Sequence, residues 1–287
     1  MSSRAPETLT LRSRRFDWGS RTYVMGIVNL SPDSFSGDGL ATVADAVEQA
    51  KRFEAEGADI IDVGGQSTRP ARNAPTAPGH DQLTVEEELE RVVPAIRSIL
   101  DAVTLPLSID SYRAPVVEAA LDVGAHLIND IWGFRHDPEV AVLAARHGAP
   151  AVVMHNQRGR ERVDVIAGIK DGLSESIRIA QAAGLPRERL ILDPGFGFGW
   201  AMEDNLAMLN RLDELRDFDL PLLVGTSRKT TIGAVLELPE EERAWGTAAT
   251  VAISIIKGAD IVRVHDVAEM KQVCLMTDAI VRARGRG

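Results

Sequence analysis

From residue 22 onward, short apolar runs rich in β-branched residues alternate with longer amphipathic stretches. The runs at 23–29, 59–64, 106–110, 127–130, 151–155, 190–193, 222–225 and 261–265 predict strands, and intervening stretches such as 43–56 and 85–103 predict helices. Several helical stretches stop at a glycine just before the next strand (Gly57, Gly124, Gly148, Gly184, Gly258), where a left-handed residue closes a helix C-terminus. The strands read as continuous apolar runs, as expected when both faces of a parallel sheet are covered. Eight such βα units predict the α/β class and a single-domain (β/α)8 TIM barrel. An open doubly wound sheet fits less well, because no Gly-rich dinucleotide turn follows the first strand. Residues 1–21 are expected to be an N-terminal extension, 22–281 the barrel, and 282–287 a flexible tail.

Nearly every predicted strand ends in a polar or ionisable group. In order these are Asn29, the stretch Gln66-Ser67-Thr68-Arg69, Asp110, Asn129 with Asp130, His155, Asp193, Ser227-Arg228-Lys229, and Arg263 with His265. Strand C-termini of a (β/α)8 barrel converge on one mouth, so this placement predicts an enzyme with its site there. Residues 30–41 and 66–83 are longer than ordinary βα loops and are expected to act as lids or binding loops, a disordered insertion being the alternative for the second.

Composition narrows the partners. Lys plus Arg number 32 against 42 Asp plus Glu, a formal charge of −10, which argues against a nucleic-acid partner while leaving room for a local cationic pocket. No apolar run reaches the roughly 18 residues of a membrane span. No apolar stretch follows the early arginines as a secretory signal requires, so a cytoplasmic location is expected. Cys274 is the only cysteine, which excludes an intrachain disulfide and a thiolate zinc site; its apolar neighbours predict a packed thiol. The six histidines show no HxH or HExxH spacing, so a zinc hydrolase is unsupported.

Asp110 and Asp193 close apolar runs at matching positions. There a carboxylate can accept two hydrogen bonds from an N–H pair on a flat heterocycle, unless it caps the next helix or pairs with an arginine. Residues 225–233, with Ser227, Arg228 and Lys229 at a predicted helix start, and with Arg263 and His265 nearby, predict an anion pocket for a diphosphate or carboxylate. It is not a Walker loop, since that spacing is absent. Gly195-Phe196-Gly197-Phe198-Gly199 lets backbone approach a planar ligand or simply makes a turn. Asn29 could help hold a magnesium ion carried in by a diphosphate, or be a buried Asn bonded to backbone.

These motifs resemble, in order, those of the dihydropteroate synthase family. Met25-Gly26-Ile27-Val28-Asn29-Leu30-Ser31-Pro32-Asp33-Ser34-Phe35-Ser36 is similar to its opening signature, and Asp62-Val63-Gly64-Gly65-Gln66-Ser67-Thr68-Arg69-Pro70 to its second. Ile109-Asp110-Ser111, Asn129-Asp130-Ile131, Asp193-Pro194-Gly195-Phe196-Gly197-Phe198-Gly199, Ser227-Arg228-Lys229 and Arg263-Val264-His265 follow. The resemblance implies condensation of 6-hydroxymethyl-7,8-dihydropterin diphosphate with p-aminobenzoate, with Mg2+ as cofactor, in a homodimer of a family that sulfonamides target. It implies that Asp110, Asn129, Met154, Asp193, Phe198 and Lys229 hold the pterin. Asn29 (with Mg2+), Arg263 and His265 would then hold the diphosphate, and Phe35, Thr68, Arg69, Pro70 and Ser227 the p-aminobenzoate. Catalysis would fall to Asp110, Asp193, Lys229 and Arg263. The lids depart from the family pattern: Gln66 stands where Glu is usual, Ser36 precedes Gly37 where Asp is usual, and the second loop is longer. Other readings are a methyltetrahydrofolate-dependent methyltransferase, a pterin-binding paralogue without synthase activity, and a Schiff-base aldolase using Lys229.

Overall fold

The structure is a computed structural model that describes residues 8–30, 40, 42–66, 83–161 and 163–282. The first elements among the described residues form a hairpin, β1 (Leu9–Leu11) and β2 (Arg14–Phe16). Eight parallel strands follow: β3 (Tyr23–Asn29), β4 (Ile60–Gly64), β5 (Leu107–Asp110), β6 (Leu127–Asp130), β7 (Ala151–Met154), β8 (Leu190–Asp193), β9 (Leu223–Val224) and β10 (Ile261–Val264). They pair in the order β8-β7-β6-β5-β4-β3-β10-β9, and a bridge from Leu192 to Leu222 joins the two ends. The expected (β/α)8 barrel is therefore present, with strand ends trimmed by a residue or two.

The helices outside the barrel are α1 (Val43–Ala55), α2 (Val85–Ala102), α3 (Ala114–Asp122), α4 (Glu139–His147), α5 (Val165–Ala182), α6 (Met202–Asn210), α7 (Thr230–Leu236), α8 (Ala244–Ile256) and α9 (Val267–Val281). Local chemistry starts them where the sequence allows. Thr84 and Glu87 form a reciprocal capping box on α2, and Thr42 accepts from the Asp45 amide on α1. The five glycines expected at helix ends all have positive φ, from 62° at Gly148 to 110° at Gly124. Cys274 is buried in α9, and burial pushes its thiol up to about 12, the state of a packed rather than a reactive cysteine. Among the described residues no helix is long and apolar enough to cross a membrane.

Side chains on one strand alternate between barrel interior and helix layer. The lower interior is apolar: Tyr23, Met25, Ile60, Leu127, Val152, Ile191, Leu223 and Ile261 pack with Leu9, Leu11 and Phe16 of the hairpin. The hairpin thus closes the base of the barrel. Its two-residue turn holds Arg12 at φ 54°, and the guanidinium donates to the carbonyls of Val103 (2.6 Å) and Leu105 (3.1 Å). Phe16 lies 4.7 Å from the Tyr23 ring and is 1% exposed. Truncating it to alanine is expected to cost about 3–5 kcal/mol. A urea midpoint should fall accordingly while kcat of the folded enzyme stays within about twofold, since the plug lies opposite the mouth.

Candidate active site

The same alternation that lines the base with apolar groups places polar groups one layer higher. Two residues beyond Ile60, Leu127, Ile191 and Ile261 stand Asp62, Asn129, Asp193 and Arg263; two beyond Val152 stands Met154. Asp110 joins this layer from β5, in register with Gly64 and Asn129. The layer is knit around Arg263. Its Nε donates to Asp62 Oδ2 at 2.6 Å and a terminal nitrogen donates to Asp110 Oδ2 at 2.6 Å. Asn129 Nδ2 donates to Asp62 Oδ2 at 3.0 Å.

Asp62 does not figure among the site residues expected from the sequence, because it sits inside an apolar run rather than at its end. Parity would have found it: it shares the inward face with Ile60. The same parity places Asp130 and His155 on the other face. Asp130 accepts from the amides of Trp132 and Phe134, both at 2.7 Å, and so shapes a turn. Burial raises its pKa to about 6. His155 is wholly buried against α5, its Nε2 3.0 Å from Gln157 Oε1, and burial lowers its pKa to about 4. These two strand-end groups are structural.

Burial is also the largest influence on the two carboxylates of the mouth. It pushes Asp110 up to about 7, with Arg263 acting against it and the neighbouring Asp62 adding to it. Asp193 is raised too by burial, opposed by Lys229, by the Gly195 amide that donates to Oδ1 at 2.7 Å, and by Arg263. Burial works against the charge of Arg263, but Asp62 and Asp110 outweigh it and keep the guanidinium protonated. Because folded Asp110 keeps its proton to a higher pH than the unfolded chain, its stabilising contribution is complete below about 4 and lost as pH rises through about 7. Asp110→Asn, neutral throughout, should therefore gain stability relative to the parent between pH 5 and pH 8. Urea unfolding at the two pH values checks this, and no relative gain would contradict a raised carboxyl.

Lys229 crosses the glycine-rich turn after β8. Its Nζ donates to the Phe196 carbonyl and lies 4.5 Å from the centroid of the Phe198 ring, with Arg158 over the same ring at 4.9 Å. A Cβ on Gly197 would lie 2.9 Å from Lys229 Cδ, so the turn passes close beneath the lysine because it lacks one. Ser227 is buried; its Oγ lies 2.9 Å from His265 Nδ1 and accepts from the His265 amide at 3.2 Å. Arg228 departs from the expected anion pocket: its guanidinium forks onto Asp266, with Nε donating to Oδ2 at 3.0 Å, and Thr247 receives its amide. The other residues expected in that pocket are Lys229, Ser227, Arg263 and His265. Asn29 Oδ1 is buried and has no hydrogen-bond partner among the described residues, so within them the reading of Asn29 as bonded to backbone through that oxygen does not hold. Phe35, Thr68, Arg69 and Pro70 lie outside the described residues.

The fold and site define a (β/α)8-barrel enzyme whose mouth sets three aspartates and an asparagine beside an arginine and a lysine. The profile of the pterin binding enzymes matches residues 25–265. A dihydropteroate synthase of Clostridium beijerinckii is 47% identical over 96% of this chain and 100% of its own. Two solved structures agree. A dihydropteroate synthase of Clostridium difficile, determined in the presence of pteroic acid, has TM-score 0.86 at 45% identity, covering 93% of this chain and 100% of that one. That of Xanthomonas albilineans with 4-aminobenzoic acid has TM-score 0.87 at 36% identity, covering 98% and 100%. The chain belongs to the pterin-binding enzyme family, in its dihydropteroate synthase branch.

Proposed function

We propose that the barrel mouth condenses 6-hydroxymethyl-7,8-dihydropterin diphosphate with p-aminobenzoate to give 7,8-dihydropteroate and pyrophosphate. The observation that carries this reading is the set of groups gathered at the mouth, with acceptors Asp110, Asp193 and Asn129 beside the donors Lys229 and Arg263. Acceptors suit the N–H-rich edge of a pterin, and donors suit its carbonyl and the diphosphate. Met154 and Phe198 supply apolar surface for the flat ring. Ser227 is suited to the carboxylate of p-aminobenzoate, and the second loop with Thr68, Arg69 and Pro70, together with Phe35, is assigned to the arylamine.

In the reaction the methylene C–O bond breaks and its electron pair leaves with pyrophosphate. Arg263 neutralises the growing charge, and His265 is assigned to the diphosphate beside it. The carbon left behind is electron-poor and conjugated with the pterin ring, and Asp110 and Asp193 stabilise the positive charge. The arylamine nitrogen forms the new C–N bond and releases its proton to solvent. Proximity within the closed site supplies the rest. The Asn29 Oδ1 atom, buried and without a partner among the described residues, fits a divalent cation carried in by the diphosphate. Mg2+ bound there would add charge neutralisation at the leaving group.

Two further assignments accompany the reaction. Helices α8 and α9 expose Trp245, Ile253, Ile256, Leu275, Met276 and Ile280, with Trp245 86% exposed, and this face supports a homodimer. Trp245→Glu combined with Met276→Glu is expected to turn a dimer into a monomer in sedimentation. A cytoplasmic setting suits a chain whose single cysteine has no intrachain partner.

Pyrophosphate release from the pterin diphosphate, measured with and without p-aminobenzoate and Mg2+, tests the reaction. Product that requires all three supports it. Tight pterin binding without product would instead favour the methyltransferase or a paralogue without synthase activity.

A further inference from the structure

Asp62 has no packing reason to be a carboxylate. It is 0% exposed on β4, between Ile61 and Val63, where an apolar side chain would avoid the desolvation of a buried charge. Its Oδ2 takes two donors, Arg263 Nε and Asn129 Nδ2, while its Oδ1 is buried and accepts from nothing among the described residues. The two groups it holds are ones that the proposed reaction uses. Arg263 has a second carboxylate partner, Asp110, which that reaction requires to face the pterin.

We propose that Asp62 is a positioning residue, holding Arg263 by its Nε edge and Asn129 by its amide nitrogen while Asp110 is given over to the substrate. The inference rests on the reaction proposed above. With Asp62 in place, loss of the Asp110 contact leaves the guanidinium anchored along one edge and frees a terminal N–H for the leaving group. Without it, Asp110 is the one carboxylate among the described residues hydrogen-bonded to Arg263, and substrate must compete with Arg263 for that carboxylate. The effect on Asn129 is one of polarity. Asp62 Oδ2 takes the Asn129 Nδ2 donor, which leaves the amide's Oδ1 for a ligand donor. Asp62 thereby makes Asn129 an acceptor, matching Asp110 and Asp193.

The test uses the full chain with Asp62→Ala, Asp62→Asn, Arg263→Lys and the Asp62→Asn/Arg263→Lys pair. Asp62→Ala should lower kcat by about 100-fold, the scale of a misplaced catalytic group. Asp62→Asn, which keeps an acceptor of the same shape, should recover part of it. In the double variant the Asp62→Asn change should add little to Arg263→Lys, because both act through one guanidinium. Pteroate binding by calorimetry should weaken by about tenfold in Asp62→Asn, the scale of a lost bond to a charged group. Additive effects on kcat, or unchanged kcat per folded molecule with only a lower melting temperature, would overturn the proposal. If Asp62→Ala does not fold, Asp62→Asn and the cycle decide. If the parent chain makes no product, the reaction reading fails by itself, and unchanged pteroate affinity in Asp62→Asn would then overturn the role of Asp62.

Discussion

Asp193→Asn is expected to lower kcat by about 100- to 1,000-fold while pterin affinity changes far less. A buried, preoriented charge aimed where charge develops is worth this much in a site shielded from water. The geometry supports that aim: Asp193 is 7% exposed, fixed by the Gly195 amide at 2.7 Å, and in the fields of Lys229 and Arg263. The neutral amide keeps the shape and one acceptor, so ground-state binding loses little, whereas stabilisation of the electron-poor methylene carbon is lost. Steady-state kinetics beside calorimetry of pteroate separate the two. Equal kcat in the variant would remove Asp193 from the chemistry.

A second large effect, on scaffold and activity together, should come from Gly195→Ala. This residue has φ 77°, and a Cβ there would sit 1.8 Å from the His155 carbonyl oxygen, a backbone atom with no flexible end to swing aside. The left-handed conformation alone costs roughly 1–2 kcal/mol for a non-glycine residue. Forced displacement of close-packed neighbours adds roughly 1–3 kcal/mol. The clash also separates β7 from the turn that holds Asp193, so kcat/KM should fall together with the urea midpoint. Gly148→Ala is the control: its φ of 62° carries a similar conformational cost, but nothing lies within 4 Å of the added atom. If both variants lose stability equally, conformation rather than the close approach is the cause.

The chain's own pattern determined the barrel, because each strand and helix declares itself through a local period and a local stop. The eight apolar runs, the glycines at positive φ and the capping threonines all act within a few residues of themselves. It also determined that Asp110, Asn129, Asp193, Lys229 and Arg263 meet at one mouth, since strand ends of such a barrel must converge. The base hairpin was not legible: two three-residue strands carry too little periodicity, and their partner is the far end of the barrel.

Only the tertiary structure decided how the polar groups are shared out. Arg228 and Lys229 are adjacent in sequence, yet Arg228 at φ 54° forks onto Asp266, 38 residues away, while Lys229 turns across the Phe198 ring. Arg263 lies 201 residues from Asp62 and 153 from Asp110, and no local pattern announces that one guanidinium will bridge both. His155 and Asp130 end their strands as the active groups do, but face the helix layer and serve the scaffold. The physical reason is common to all of these. Periodicity fixes which face a side chain takes, whereas hydrogen-bond partners and pKa shifts depend on charges and burial that come together only when the barrel closes.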